Sequence, residues 1–208
     1  MDVEKRMEEL KIVPVVVLQS AADAVPLADA LTAAGLPLAE VTFRTEAAEE
    51  SIRRIAGAFP EMLVGAGTVS SVEQAVKAVE AGAKFLVSAG FQTDITEFAL
   101  KKGIPIFPGV CTPTELMMLL KYDLRVAKFF PAEQYGGLKT IRALSGPFPQ
   151  MRFMPTGGIH AGNVKEYLAD PRIIACGGSW MVKDSLIKAG NFDEIRRLTA
   201  EAVNLVKG

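Results

Sequence analysis

Histidine occurs once in the 208 residues, cysteine twice and tryptophan once. A single histidine excludes any metal site built on several imidazoles. The cysteines, Cys111 and Cys176, lie in separate apolar runs without CxxC spacing, which predicts two reduced, buried thiols and no disulfide. Excess charge is missing too: 23 Lys and Arg against 24 Asp and Glu leave a formal net charge of -1, with no basic face for nucleic acid. No uninterrupted apolar stretch approaches the roughly 18 residues that suggest a membrane span, and the charged start MDVEKRMEEL does not resemble a secretory leader. The expectation is a cytoplasmic protein with small soluble partners, and with neither nucleic acid nor membrane among them.

What is present is apolar and regular. Half of the residues are hydrophobic and the mean hydropathy is +0.25, enough for one large core, so residues 1–208 are expected to form a single domain with a short N-terminal helix. Apolar, β-branched runs at 12–18, 38–44, 62–67, 83–89, 105–110, 124–132, 151–158 and 173–180 alternate with amphipathic stretches. Eight strand-then-helix units predict an α/β fold, a single (β/α)8 TIM barrel. A doubly wound open sheet is the competing fold, but it expects G-x-G-x-x-G after the first strand, where QSAADAVP stands. Glycine in AAGLP, EAGAK and KKGIP marks three helix ends. The methionines of ELMMLLK fit a core-facing helix.

Ligands of such a fold sit at the carboxyl ends of the strands. The second strand carries Glu40, Thr42 and Arg44 at alternate positions, hence on one face. An ion pair between Glu40 and Arg44 at the rim is the bland account of that pattern. The third strand ends in GAGT, which brings the Thr68 hydroxyl beside two glycines. The seventh ends in Thr156, Gly157 and Gly158, and the eighth in Gly177, Gly178 and Ser179. Backbone N–H groups at these two loops are a frequent phosphate cradle. His160, a lone loop histidine, fits a solvated surface better than a catalytic role, and Glu133 fits a loop-fixing one.

The sixth strand poses the sharpest question, because Lys128 lies among Val126, Phe129 and Phe130. A buried ammonium is costly unless paired, and withdrawal of water favours the neutral amine that can attack a carbonyl. Positive charge from Arg44 across the barrel is expected to act in the same direction. A lysine snorkelling to solvent would not need apolar neighbours on both sides.

EVTFRTE (40–46), VGAGTV (64–69), PGVCTPTE (108–115), KFFPAE (128–133), PTGGI (155–159) and GGSW (177–180) together resemble, in order and over nearly the whole chain, the 2-keto-3-deoxy-6-phosphogluconate and 4-hydroxy-2-oxoglutarate aldolases. The resemblance implies a class I aldolase of the Entner–Doudoroff pathway that releases pyruvate and glyceraldehyde 3-phosphate. It places the Schiff-base lysine on Lys128, the acid/base on Glu40, carboxylate ligands on Arg44 and Thr68, and the phosphate loops on Gly157, Gly158, Gly178 and Ser179. Thr156 joins them as a substrate-binding residue. Implied partners are a 2-oxo acid and a sugar phosphate, with no metal or organic cofactor, and the assembly is a homotrimer. At 88–90 the chain reads Ser-Ala-Gly where the family commonly reads Ser-Pro-Gly, which touches substrate preference more than reaction type. Rival readings are the same chemistry on 4-hydroxy-2-oxoglutarate or the galactonate epimer, a phosphate-binding isomerase or epimerase, and a non-catalytic sugar-phosphate binding barrel.

Overall fold

A computed structural model describes residues 2–207. Helix α1 (Val3–Leu10) starts at Asp2, whose carboxylate accepts from the Lys5 N–H at 3.1 Å. Strands and helices then alternate: β1 (Ile12–Val16), α2 (Ala24–Ala33), β2 (Leu38–Thr42), α3 (Ala48–Ala58), β3 (Leu63–Gly67) and α4 (Val72–Glu80). Next come β4 (Leu86–Val87), α5 (Thr93–Lys102), β5 (Ile106–Phe107), β6 (Gly109–Val110) and α6 (Pro113–Lys121). The chain continues through β7 (Val126–Phe129), α7 (Gly137–Ser145), β8 (Arg152–Pro155), α8 (Val164–Leu168), β9 (Cys176–Gly178), α9 (Asp184–Lys188) and α10 (Phe192–Lys207). Gly35, Gly82 and Gly103, the glycines of the three expected helix ends, all have positive φ.

The closed eight-stranded TIM barrel expected from the alternation does not form. Among the described residues nine strands make two parallel sheets, one of six in the order β5-β4-β3-β2-β1-β9 and one of three in the order β6-β7-β8. Pro108 has no N–H to donate and divides the fifth apolar run, so β5 pairs with β4 while β6 pairs with β7. At the other seam, β8 ends at Pro155, and only the single bridges Phe153 to Ile173 and Thr156 to Gly177 cross to the β9 segment. The strands are also shorter than their apolar runs: β2 stops at Thr42 and β7 at Phe129.

Strand parity decides what faces where. On one side Ala39, Val41, Val64, Ala66, Ala127 and Phe129 pack in the core that includes the helices. On the other, Val13, Leu38, Leu63, Phe85, Phe107, Val126, Met154 and Ile174, drawn from both sheets, form a second core with Val3 and Met7 of α1. Among them Leu38, Leu63 and Val126 open their strands and Val13 is second in its own. Glu40 follows Leu38 on its face and Lys128 follows Val126, so the apolar layer becomes the floor under the polar groups. In α6, Leu116 and Leu119 are buried, but Met117 is 58% and Met118 38% exposed, against the expected core-facing methionines. The helical period gives the inward places to the leucines.

Candidate active site

Lys128 and Glu40 meet between the sheets. Lys128 lies in β7 opposite Gly109 and Met154, and Glu40 in β2 opposite Val15 and Gly65. Lys128 is 4% exposed and Glu40 fully buried, with Nζ 3.3 Å from Glu40 Oε1. The Phe130 ring lies against the ammonium, its centroid 5.1 Å away. The nearest charge to the lysine is therefore Glu40 and not Arg44. The second Glu40 oxygen, Oε2, is buried and has no hydrogen-bond partner. A buried polar atom without a partner costs about 1–3 kcal/mol, so its persistence calls for an explanation in function.

Gly67 makes that carboxylate position possible. A Cβ on Gly67 would collide with Oε1, Cγ and Cδ of Glu40, and a Cβ on Gly65 would enter the Phe85 ring. Only glycine leaves this room. Thr68 follows with φ of 55°, a left-handed backbone that costs a β-branched residue about 1–2 kcal/mol. That strain turns a half-buried hydroxyl off the end of β3.

Arg44 stands in the turn after β2, exposed, not on the strand face with Glu40. Its Nε donates to Thr42 Oγ1 at 3.1 Å, and that hydroxyl donates to the Val16 carbonyl at 2.9 Å. No Glu40–Arg44 ion pair forms among the described residues. Arg44 instead lines a cavity of about 600 Å³ that also touches Val15, Gly158, His160, Ser179, Trp180 and Lys183. Val15 is the β1 residue in register with Glu40, but Lys128, Glu40 and Thr68 are not themselves on the wall of this cavity.

The two glycine loops are shaped by contacts, not by sequence alone. Gly157 (φ 99°) and Gly158 (φ 79°) take backbone that other residues avoid. A Cβ on Gly158 would strike the Glu133 side chain, one on Gly177 the Thr156 hydroxyl, and one on Gly178 the Trp180 ring. Thr156 is 6% exposed and its Oγ1 is a second buried atom without a partner. Ser179 is exposed at the cavity wall. The exit of β7 is clamped to the first loop: the Ala132 N–H donates to the Thr156 carbonyl at 2.8 Å and the Glu133 N–H to that of Gly157 at 3.1 Å.

Glu133 is not a rival base in this arrangement. It is exposed and accepts a hydrogen bond from the Tyr167 hydroxyl, which burial and then that carboxylate hold above its ordinary pKa. His160 serves its own loop: Nδ1 accepts from the Gly162 N–H at 3.0 Å, and the His160 backbone N–H donates to Asn163 Oδ1 at 2.8 Å. Cys176 is a buried free thiol pushed up in pKa by burial, whereas Cys111 is only half-buried. The sequence points to the glycines of GAGT but not to Glu40 as the neighbour of Gly67, and it does not point to Tyr167 or Lys183, whose neighbours come from distant segments or from a turn.

A buried amine paired with a carboxylate on parallel strands is the equipment of a lysine-dependent aldolase, a lyase. The family model "KDPG and KHG aldolase" matches residues 3–198, and the chain belongs to that family. It is 46% identical over 203 residues to the 2-dehydro-3-deoxy-phosphogluconate aldolase of Haemophilus influenzae, covering 98% of this chain and 96% of that protein. The crystal structure of KDPG aldolase from Legionella pneumophila, with pyruvate captured at low pH as a covalent carbinolamine intermediate, superposes with a TM-score of 0.93 at 39% identity, covering 97% of this chain and 98% of that one. The 2-keto-3-deoxy-6-phosphogluconate aldolase of Zymomonas mobilis ZM4, solved with 3-phosphoglycerate, gives a TM-score of 0.90 at 39% identity, covering 97% and 95%.

Proposed function

We propose that this protein cleaves 2-keto-3-deoxy-6-phosphogluconate to pyruvate and glyceraldehyde 3-phosphate through a Schiff base on Lys128. The observation that carries the assignment of residues is the buried Lys128–Glu40 contact with one Glu40 oxygen left without a partner. Glu40 takes the ammonium proton, and the free amine adds to the C2 ketone to give a carbinolamine. Glu40 returns a proton as water leaves, and the protonated imine becomes an electron sink for C3. Glu40, directly or through a water, then removes the C4 hydroxyl proton. The C3–C4 bond breaks, its electrons pass into an enamine, and the aldehyde fragment departs. Protonation at C3 and hydrolysis release pyruvate and restore the amine.

Arg44 and Thr68 hold the 2-oxo acid carboxylate and keep the ketone over the lysine. Gly157, Gly158, Gly178 and Ser179 receive the phosphate, with the Thr156 hydroxyl facing the intervening chain. This assignment predicts a split by substrate. Ser179→Asp sets a carboxylate against the phosphate and raises KM for the phosphorylated substrate by about tenfold or more. For 4-hydroxy-2-oxoglutarate, which has no phosphate, the change is small. Equal losses on both would remove the phosphate assignment and favour 4-hydroxy-2-oxoglutarate, the second substrate in the family's description.

The same reading places the enzyme in the Entner–Doudoroff pathway, in the cytoplasm, as a homotrimer. Among the described residues no helix is long and apolar enough to cross a membrane. Met117, Met118 and, on α5, Leu100 are apolar side chains left exposed, and a second copy of the chain would cover them. Light scattering should return three times the 22.3 kDa chain mass, and a mass of one chain would remove the trimer.

A further inference from the structure

We infer that Lys183 supplies the counter-charge for the substrate phosphate and thereby sets the preference for phosphorylated over unphosphorylated 2-keto-3-deoxy acids; this rests on reading the two glycine loops as the phosphate site. A phosphate monoester carries about -1.5 to -2 charge at neutral pH. The loops offer it backbone N–H groups and one hydroxyl, which are donors without formal charge. Arg44, the other cation on the cavity wall, is engaged with the opposite, carboxylate end of the substrate.

Lys183 lines the same cavity as Gly158 and Ser179. The Val182 N–H donates to the Ser179 carbonyl at 3.1 Å, a turn that Lys183 directly follows. Its side chain is exposed, and among the described residues its ammonium forms neither an ion pair nor a hydrogen bond. The carboxylates around it are already engaged. Asp184, which also lines the cavity, is 2.5 Å from the Lys188 ammonium. Glu194, which feels the charge of Lys183, is held by Arg197 through contacts of 2.6 and 2.7 Å. A cation left free beside a neutral cradle is what a dianion needs, and a flexible ammonium can follow it without fixed geometry.

The test compares kcat/KM for 2-keto-3-deoxy-6-phosphogluconate with that for 2-keto-3-deoxygluconate, which has the same carbon chain and no phosphate. Lys183→Ala should lower the ratio of the two by about fivefold, the scale of an exposed charge acting on a doubly charged partner. Lys183→Glu should lower it further, and Lys183→Arg should keep most of it. Added salt should erode the ratio more steeply in the wild type than in Lys183→Ala, because the screened contact is absent from the variant. If Ser179→Asp moves the ratio and none of the Lys183 variants does, Lys183 is not the counter-charge and the cradle stands. If no variant at either position moves it, the phosphate site itself is lost. Equal losses on both substrates would make Lys183 a structural residue and also overturn the inference.

Discussion

Lys128→Arg is expected to leave no measurable turnover in a protein that still folds. A guanidinium stays protonated at any working pH and cannot form an imine, so the charge is kept while the nucleophile is lost. The larger head must fit where Lys128 is 4% exposed, so Lys128→Met serves as a second variant with no amine and no added bulk. That change leaves Glu40 without its partner, a loss that costs about 3–5 kcal/mol when the remaining charge is buried. Circular dichroism and the melting temperature separate unfolding from loss of chemistry. In the wild type, pyruvate with borohydride should inactivate the enzyme and add mass to one peptide, the one containing Lys128. Mass on any other lysine peptide would overturn the assignment.

Removal of the carboxylate at Glu40 should be the next most damaging change. Glu40→Gln preserves shape and burial, and is expected to lower kcat by about 10²–10⁴-fold, the usual contribution of a positioned acid/base. Borohydride trapping of pyruvate should persist, slowed, because the amine is still present. Gly67→Ala reaches the same group from the neighbouring strand. The added methyl would occupy the space of the Glu40 carboxylate, and displacing it by about an ångström should cost on the order of 10²-fold in kcat. If Glu133→Gln does the damage while Glu40→Gln and Gly67→Ala are benign, the proton is carried by another carboxylate. The Tyr167 hydroxyl bonded to Glu133 argues for a loop clamp instead.

Much of the candidate site's layout could be read from residue order, and the reasons are physical. Lys128 stands out because a charged residue in an apolar strand has few uses, and Glu40 because period-two parity puts it on one face with Thr42. Arg44 was placed on that face too, but β2 ends two residues earlier, and the arginine bonds back to Thr42 from the turn. The closed barrel failed at Pro108 and Pro155, where missing N–H groups interrupt the ladder; alternation of strand and helix counts units and does not report hydrogen bonds. Gly67 shows the remaining limit. GAGT announces a tight or close-packed backbone, but that the group packed against it is Glu40 depends on the register of β2 with β3.

The apolar floor closes the strand-start side of the candidate site. Val3 and Met7 of α1 pack against Val13, Leu38 and Leu63, so apolar side chains occupy the end where the strands begin. With Lys128 as the proposed nucleophile, the fragment it holds would be the inner one, and the phosphorylated aldehyde would lie between it and solvent. Departure is then a queue: the aldehyde phosphate leaves first and pyruvate, still covalently held, leaves second. In the direction of synthesis the order reverses, with pyruvate loading before the aldehyde. The kinetic signature is ordered release, in which pyruvate competes with the sugar acid for free enzyme and glyceraldehyde 3-phosphate does not.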